Sequence, residues 1–262
     1  MVGDRIECPH HRFKFGPRGE CPEQGLQATA YHAEERYGAI FVFHGATPLF
    51  PLPRFPDNDN LVSAEPVHWK LNTQWYMIAG NAFDARHFVY AHDRRIVTPP
   101  RVSAAGSFGL RIDYGYEIAG TTWVDRATQY VSGSRVEFEV TAWGGNIMLV
   151  AARFKRDQSF GFVVAEPQYP ASSSSDRGVR MTVIVNAASR GSSLAAYIVD
   201  RLVVRAKRFA IRRMLMGDAQ GLMQLDYVSS GLRPGDEALA HYLRWAAGLP
   251  AADGSEPQHS IT

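Results

Sequence analysis

Between Asn81 and His92 the chain reads Asn81-x-x-Asp84-x-x-His87-x-x-x-x-His92, placing two imidazoles, a carboxylate and a carboxamide within twelve residues. Apolar residues Met77, Ile78, Phe83, Phe88, Val89 and Tyr90 flank them. Three-residue steps put Asn81, Asp84 and His87 on one face of a single helix. His92 lies five residues beyond His87, so it rejoins that face only where the helix widens or ends. Neutral imidazoles are good ligands for iron and zinc, and two of them need one carboxylate to complete a facial triad. The plainer reading of the same stretch is a half-buried helix with two incidental histidines.

A second group able to do chemistry opens the chain. Cys8-Pro9-His10-His11 holds a thiol and imidazoles on a Pro-containing turn, and a Cys and a His at that spacing can face one metal. A closed site needs four ligands. Cys21, thirteen residues on with no histidine beside it, does not supply a second pair.

These groups need a scaffold, and 262 residues can bury one large core, or one core and a smaller satellite. Residues 106 to 186 read as strands. Phe108, Leu110, Ile112, Tyr114 and Tyr116 alternate with small or polar residues, as do Val136, Phe138, Val140 and Ala142 with Glu137, Glu139 and Thr141. Trp143-Gly144-Gly145-Asn146 reads as a turn before the apolar run 147–152, and 179–185 as a strand after a Ser-rich loop at 172–175. The pattern fits an antiparallel sheet with one face against helices, an α+β class. From Leu194 the period becomes helical. Leu194, Ile198, Leu202, Ala206 and Phe209 or Ala210 form the expected apolar stripe, with Arg201, Arg205, Arg208 and Arg212 on another face. Asp236 is the expected cap of a last helix over 238–247.

Bulk properties exclude several classes. Hydrophobic residues make up 45% and charged residues 21%, with a formal net charge of +2, as in an ordinary globular chain. Lysines occur only at 14, 70, 155 and 207, which argues against a nucleic-acid face. No apolar run reaches the roughly 18 residues of a membrane span, and residues 1–5 lack a signal-peptide core. The expected location is the cytoplasm, where the two cysteines serve as thiols or metal ligands.

The N-terminal stretch resembles the second half of a Rieske iron–sulfur motif. Cys8 and His11 take the ligand positions, and Phe13, Phe15, Gly19 and Cys21 fit the trailing pattern. Cys8-Pro9-His10 also admits the first, Cys-x-His half, but the residues after it match the second half better. Residues 31–43 resemble the strand that closes a Rieske domain, with a Pro-rich linker at 48–56. The 81–92 stretch in turn resembles the mononuclear iron motif of Rieske non-haem iron, or ring-hydroxylating, oxygenases, and the order of the two motifs agrees. The resemblance implies part of an all-β Rieske domain with its linker over residues 1–65, then a helix-grip-like catalytic domain over 66–262. A Rieske cluster takes two Cys and two His, so half the ligands are present, and the expectation is that coding sequence precedes Met1.

The same resemblance implies the roles. His87, His92 and an Asp on a C-terminal helix would hold Fe(II); Asp218, followed by Gln224, fits that Asp best, ahead of Asp226 and Asp200. Asp84 would accept a hydrogen bond from an imidazole and link the iron site to a neighbouring subunit's cluster in a homotrimer, and Asn81 would lie near the iron. A reductase or ferredoxin would deliver electrons, and the substrate would be hydrophobic and ring-containing, with monooxygenation favoured by the short catalytic half. Two other classes remain. A cluster-less binder derived from this fold would hold a hydrophobic ligand without turnover. A hydrolytic zinc enzyme would act without O₂ or reductant.

Overall fold

The computed structural model describes residues 1–45, 47–55, 60–168, 178–223 and 231–250. The chain divides into two compact units, Met1–Leu52 and Pro53–Thr262. The division falls earlier than residue 65, because residues 61–63 pair with a strand of the second unit.

The first unit consists of short antiparallel hairpins. β1 (Ile6–Glu7) pairs with β2 (Lys14–Phe15), β3 (Glu20–Cys21) with β4 (Leu26–Gln27), and β5 (Ala33–Arg36) with β6 (Ala39–Val42). Tyr37 and Gly38, both at positive φ (52° and 71°), form the two-residue turn of the last hairpin, the twist that suits its strands. At Gly19 (φ +80°) a Cβ would lie 2.2 Å from the Ala28 carbonyl oxygen, so only glycine closes the second hairpin.

The second unit runs β7 (Leu61–Ser63), β8 (Val67–Leu71), α1 (Trp75–Phe83), α2 (Ala85–Ala91), β9 (Arg94–Ala104), β10 (Gly109–Ile118), α3 (Trp123–Val131), β11 (Arg135–Trp143), β12 (Ile147–Phe154), β13 (Gln158–Gln168), β14 (Gly178–Ala188), α4 (Leu194–Leu222) and α5 (Glu237–Ala247). Its sheet has the order β7-β14-β13-β12-β11-β10-β9, with β8 also on β14, and every pairing is antiparallel. Alternation works as expected: Leu110, Ile112, Tyr114 and Tyr116 of β10 and Val136, Phe138, Val140 and Ala142 of β11 are all buried. Strands β9 to β14 pair in sequence order as a meander, with α3 inserted between β10 and β11, and Gly144 and Gly145, both at positive φ, make the β11–β12 turn.

Four expectations change. The 81–92 stretch is two helices, broken at Asp84. α3 lies inside the region read as all strand; Thr122 caps it by accepting from the Asp125 N–H at 3.2 Å, a Thr-x-x-Asp start signal that alternation does not register. The apolar stripe expected to bury α4 points outward instead: Leu194, Ile198, Leu202 and Phe209 are exposed. The face that packs on the sheet is built on Val204, Ile211, Leu215, Asp218 and Leu222, because these side chains meet the core and the others do not. Asp236 precedes α5, but its carboxylate accepts from the Arg233 N–H (2.8 Å) and pairs with Arg86 rather than capping the helix. The Ser-rich loop at 172–175 lies outside the described residues.

α1 is held from behind by α5. Phe83, 1% exposed, stacks on Tyr242 at 4.7 Å, and the Tyr242 hydroxyl donates to the Tyr76 carbonyl at 3.1 Å. Phe83→Ala would remove a fully buried ring beside the helix break. We expect a loss of about 3–5 kcal/mol of stability, read as a lower urea midpoint with unchanged slope.

Candidate metal centre

Asp84 organises the two-helix element. Its N–H makes the last bond of α1, to the Gly80 carbonyl at 3.1 Å, and its ψ of 87° takes the chain out of the helix. Its carboxylate then accepts from the His87 N–H at 3.0 Å and starts α2. Asp suits this place, since a short carboxylate satisfies a donor that a helix start leaves unpaired. Within this chain the carboxylate's bond is to the backbone of His87 and not to its ring. His87 therefore stands in the first turn of α2, while His92 is the residue after its last turn, at φ −118°. The helix ends before His92, which is how a five-residue spacing puts both rings on one side: they meet edge-on, centroids 4.9 Å apart.

The third group comes from far along the chain. Asp218, buried near the end of α4, directs Oδ1 at both imidazoles, 3.1 Å from His87 Nε2 and 2.9 Å from His92 Nε2. The two Nε2 atoms are 3.2 Å apart. These three are the one cluster of metal-capable donors among the described residues. Donors about 2.1 Å from one ion lie about 3.0 Å apart on a face of an octahedron and about 3.4 Å apart in a tetrahedron. The observed edges, 2.9 to 3.2 Å, are short enough for all three donors to reach one such ion. Two imidazole nitrogens that both aim at one oxygen would crowd their protons if each carried one; lone pairs converging on a cation do not. The residues therefore fit a facially bound divalent metal such as Fe(II).

Asn81, in the last turn of α1, donates from Nδ2 to the other carboxylate oxygen, Asp218 Oδ2, at 3.3 Å. It orients the carboxylate. Asp200, the third-ranked carboxylate, is elsewhere: it is buried against Arg190 (2.8 Å) and Ser189 (3.1 Å). Asp226 and Gln224 lie outside the described residues. In the first unit, Cys8 and His11 share the β1–β2 hairpin tip, closed by Cys8 N–H to Phe13 O (2.8 Å) and Arg12 N–H to Cys8 O (2.9 Å). Cys8 is half-buried, and His11 is exposed with its ring 5.4 Å from that of Phe13.

Electrostatics tie the triad together. Burial alone would raise the Asp218 carboxyl, but hydrogen bonds and charge from His87 and His92 bring it down to about 2. Burial disfavours the His87 imidazolium, yet the Asp218 hydrogen bond and the charges of Asp218 and Asp84 outweigh it and raise its pKa. Burial pushes the Tyr114 hydroxyl well up, helped by Tyr116 and by the Asp84 and Asp218 charges, so it stays a neutral phenol.

Composition and spacing did not reveal the supporting groups. Arg94 donates to the His92 carbonyl and pairs with buried Asp125 at 2.9 Å; Thr122 donates to the same Asp at 2.6 Å. Gly120 lets that carboxylate sit close, since a Cβ there would be 2.4 Å from Asp125 Oδ2. Thr122-x-x-Asp125 was the one readable signal. Beside the triad lies a cavity of about 550 Å³, lined by Asn81, Phe88, Tyr116, Trp123, Met148 and Asp218 among others.

Comparison with known proteins bears on the fold that carries this geometry. The chain is 28% identical, over 108 residues, to the oxygenase component of 3-ketosteroid-9-alpha-monooxygenase of Mycolicibacterium smegmatis; the match spans 35% of this chain and 28% of the relative. It is 23% identical, over 159 residues, to the oxygenase component of chloroacetanilide N-alkylformylase of Rhizorhabdus wittichii, spanning 55% and 43%. In fold it is similar to Pseudomonas putida CBB5 NdmA with caffeine, at TM-score 0.60 and 16% identity over 94% of this chain and 72% of that one. Apo dicamba monooxygenase gives TM-score 0.56 and 16% identity, over 95% and 80%. The chain resembles Rieske oxygenases and has their fold. No family model matches it. The matched segments span less than half the length of the two sequence relatives. As in those oxygenases the architecture is α+β around a large antiparallel sheet, and no helix among the described residues is long and apolar enough to cross a membrane.

Because a metal must displace the His87 proton, metal uptake by metal-free protein should release protons and strengthen with pH. The raised His87 pKa gives the sign: the Asp218–imidazolium pairing stabilises the metal-free fold fully below about 6.5, and is lost as pH passes the higher folded value. Co(II) affinity should therefore still be climbing at pH 6.5 and level off above it. Calorimetry in two buffers of different ionisation enthalpy checks this.

Proposed function

We propose that this chain carries the catalytic site of a Rieske-type oxygenase, which uses O₂ and electrons from a reductase or ferredoxin to oxidise a hydrophobic, ring-containing substrate. One observation carries most of the support: the donor atoms of His87, His92 and Asp218 converge to within 3.2 Å of one another, and Asp218 with Asn81 lines an apolar cavity. His87, His92 and Asp218 would hold the mononuclear Fe(II), whose chemistry when bound is O₂ activation with positions left open beside the substrate. Asn81 fixes the orientation of Asp218. Asp84 fixes His87 through its backbone and adds negative charge near its ring, the part played by a carboxylate behind a ligand histidine. Phe88, Tyr116 and Trp123 give the cavity apolar ring surface.

Cys8 and His11 would supply half the ligands of a [2Fe–2S] cluster, in an N-terminal domain that delivers electrons, followed by the catalytic domain. A homotrimer would let the cluster of one subunit serve the next, with half-buried Asp84 between them. A cytoplasmic setting suits thiol ligands and a soluble electron donor. The relatives are named for a steroid hydroxylation and a chloroacetanilide dealkylation, and hydroxylation, demethylation and desaturation all suit this site.

Iron and acid-labile sulfide per chain test the reading on protein purified without oxygen. About one iron at the triad is expected, with Asp218→Ala and His87→Ala each losing it; about two more irons with two sulfides would report an assembled cluster. Iron unchanged in Asp218→Ala would remove the ligand set. No iron in the parent would put a hydrophobic-ligand binder first, one whose ligand binding survives His87→Ala, and turnover without O₂ or reductant would indicate a hydrolase.

A further inference from the structure

α3 and α4 together turn an apolar and basic face to solvent. Leu194, Ile198, Leu202, Phe209 and Met216 of α4 are all exposed. At 3.6 residues per turn they lie within about 80° of arc, along about 33 Å of helix. Arg205 and Arg212 fall in the same arc and Arg201 beside it, all three exposed. Trp123 of α3 continues the stripe, its ring 5.8 Å from that of Phe209. Scattered exposed apolar residues need no explanation, but a joined run across two helices marks an interaction surface.

Charge on this face has one sign. α4 carries five arginines and a lysine against two aspartates, Asp200 and Asp218. Both aspartates are buried, one paired with Arg190 and the other turned to the histidines. The one acid of α3, Asp125, is buried against Arg94, whereas Arg126 is exposed. Guanidinium groups set among large aliphatic and aromatic side chains, with no acid between them, suit an anionic bilayer surface. Rings and branched chains enter the acyl boundary, and arginine stems run along it while their heads reach lipid phosphates.

The cavity favours a bilayer over a soluble partner. Trp123, Val131 and Phe209 line it and are nevertheless 65%, 64% and 53% exposed, so its mouth lies between α3 and α4, within this face. An acidic protein docked here would match the charge but seal the mouth, and two copies of the chain meeting through this face would oppose their arginines. A fluid apolar phase leaves the mouth open.

We propose that the α3–α4 face docks on an anionic lipid bilayer with the cavity mouth turned to the lipid, so that an apolar ligand enters from the membrane without crossing water. The docking needs no metal and stands apart from the oxygenase reading.

Flotation of the full chain with vesicles tests this, using equal parts of phosphatidylglycerol and phosphatidylcholine against phosphatidylcholine alone. Parent protein should float with the anionic vesicles and not with the neutral ones, and less so as salt rises beyond about 0.1 M. Two pairs of exposed residues, none of them lining the cavity, separate the contributions: Arg205→Gln/Arg212→Gln and Ile198→Ser/Leu202→Ser. Each pair should weaken binding about tenfold or more, the first through charge and the second through lost apolar insertion. A parent that does not float, or binding held within about twofold in either pair, would overturn the proposal. So would a parent oligomer that sedimentation velocity shows dispersed by Ile198→Ser/Leu202→Ser without vesicle binding, which gives the face to a second copy. Binding to polyglutamate in place of vesicles, lost with the arginine pair, would overturn it in favour of an acidic protein. Iron content keeps the two readings apart. Iron-loaded protein that ignores the vesicles defeats this inference alone, and vesicle binding by a parent that takes up no iron defeats the oxygenase reading alone.

Discussion

One buried carboxylate oxygen sets the terms for the rest of this molecule. Asp218 Oδ1 lies about 3 Å from two imidazole nitrogens in a place water barely reaches. Such a group is tolerated only if it is paired, because an isolated ionised carboxylate in an apolar interior costs far more than a domain's whole stability margin. Everything near it serves that pairing. Asn81 takes the second oxygen, and Arg94, itself neutralised by Asp125, fastens the carbonyl of His92.

The scaffold explains why these positions are held so closely. α1 and α2 follow one another with only Asp84 between them, and the break turns a sequence that reads as one helix into two short ones at an angle fixed by the Asp84 cap. α5 supports α1 through the Phe83–Tyr242 stack, and the sheet supports α2 through Phe88, whose ring packs against Tyr114, Tyr116 and Phe138. α4 brings Asp218 in along a face that also lines the cavity. Ligand placement and cavity shape thus depend on the same helix–sheet contact, so a change in α4 packing alters both.

Much of the second unit was legible in the chain. Alternation over 108–116 and 136–142 marked two central strands, because side chains of a strand with one buried face must alternate. The Asn81–His92 spacing marked a stretch whose groups could ligate a metal, and the end of α2 before His92 is what that five-residue gap required to bring both rings to one side. Asp218 stands out as the candidate carboxylate only through resemblance to a family pattern, not through local spacing.

Local residue types therefore determined which groups could ligate, where the strands alternate and where Gly must stand, since steric and hydrogen-bonding limits act within a few residues. Three things waited for the tertiary structure. Which face of α4 is inward was decided by contact with the sheet, since that helix carries apolar residues on both sides and its own periodicity could not choose. That Asp218, rather than equally acidic Asp200, meets the histidines was decided by where α4 crosses α1 and α2: Asp200 ends against Arg190 instead. The pairing of Lys207 with Asp157 and of Arg94 with Asp125 was decided the same way. Each joins residues more than thirty positions apart, and no local rule carries the distance between them.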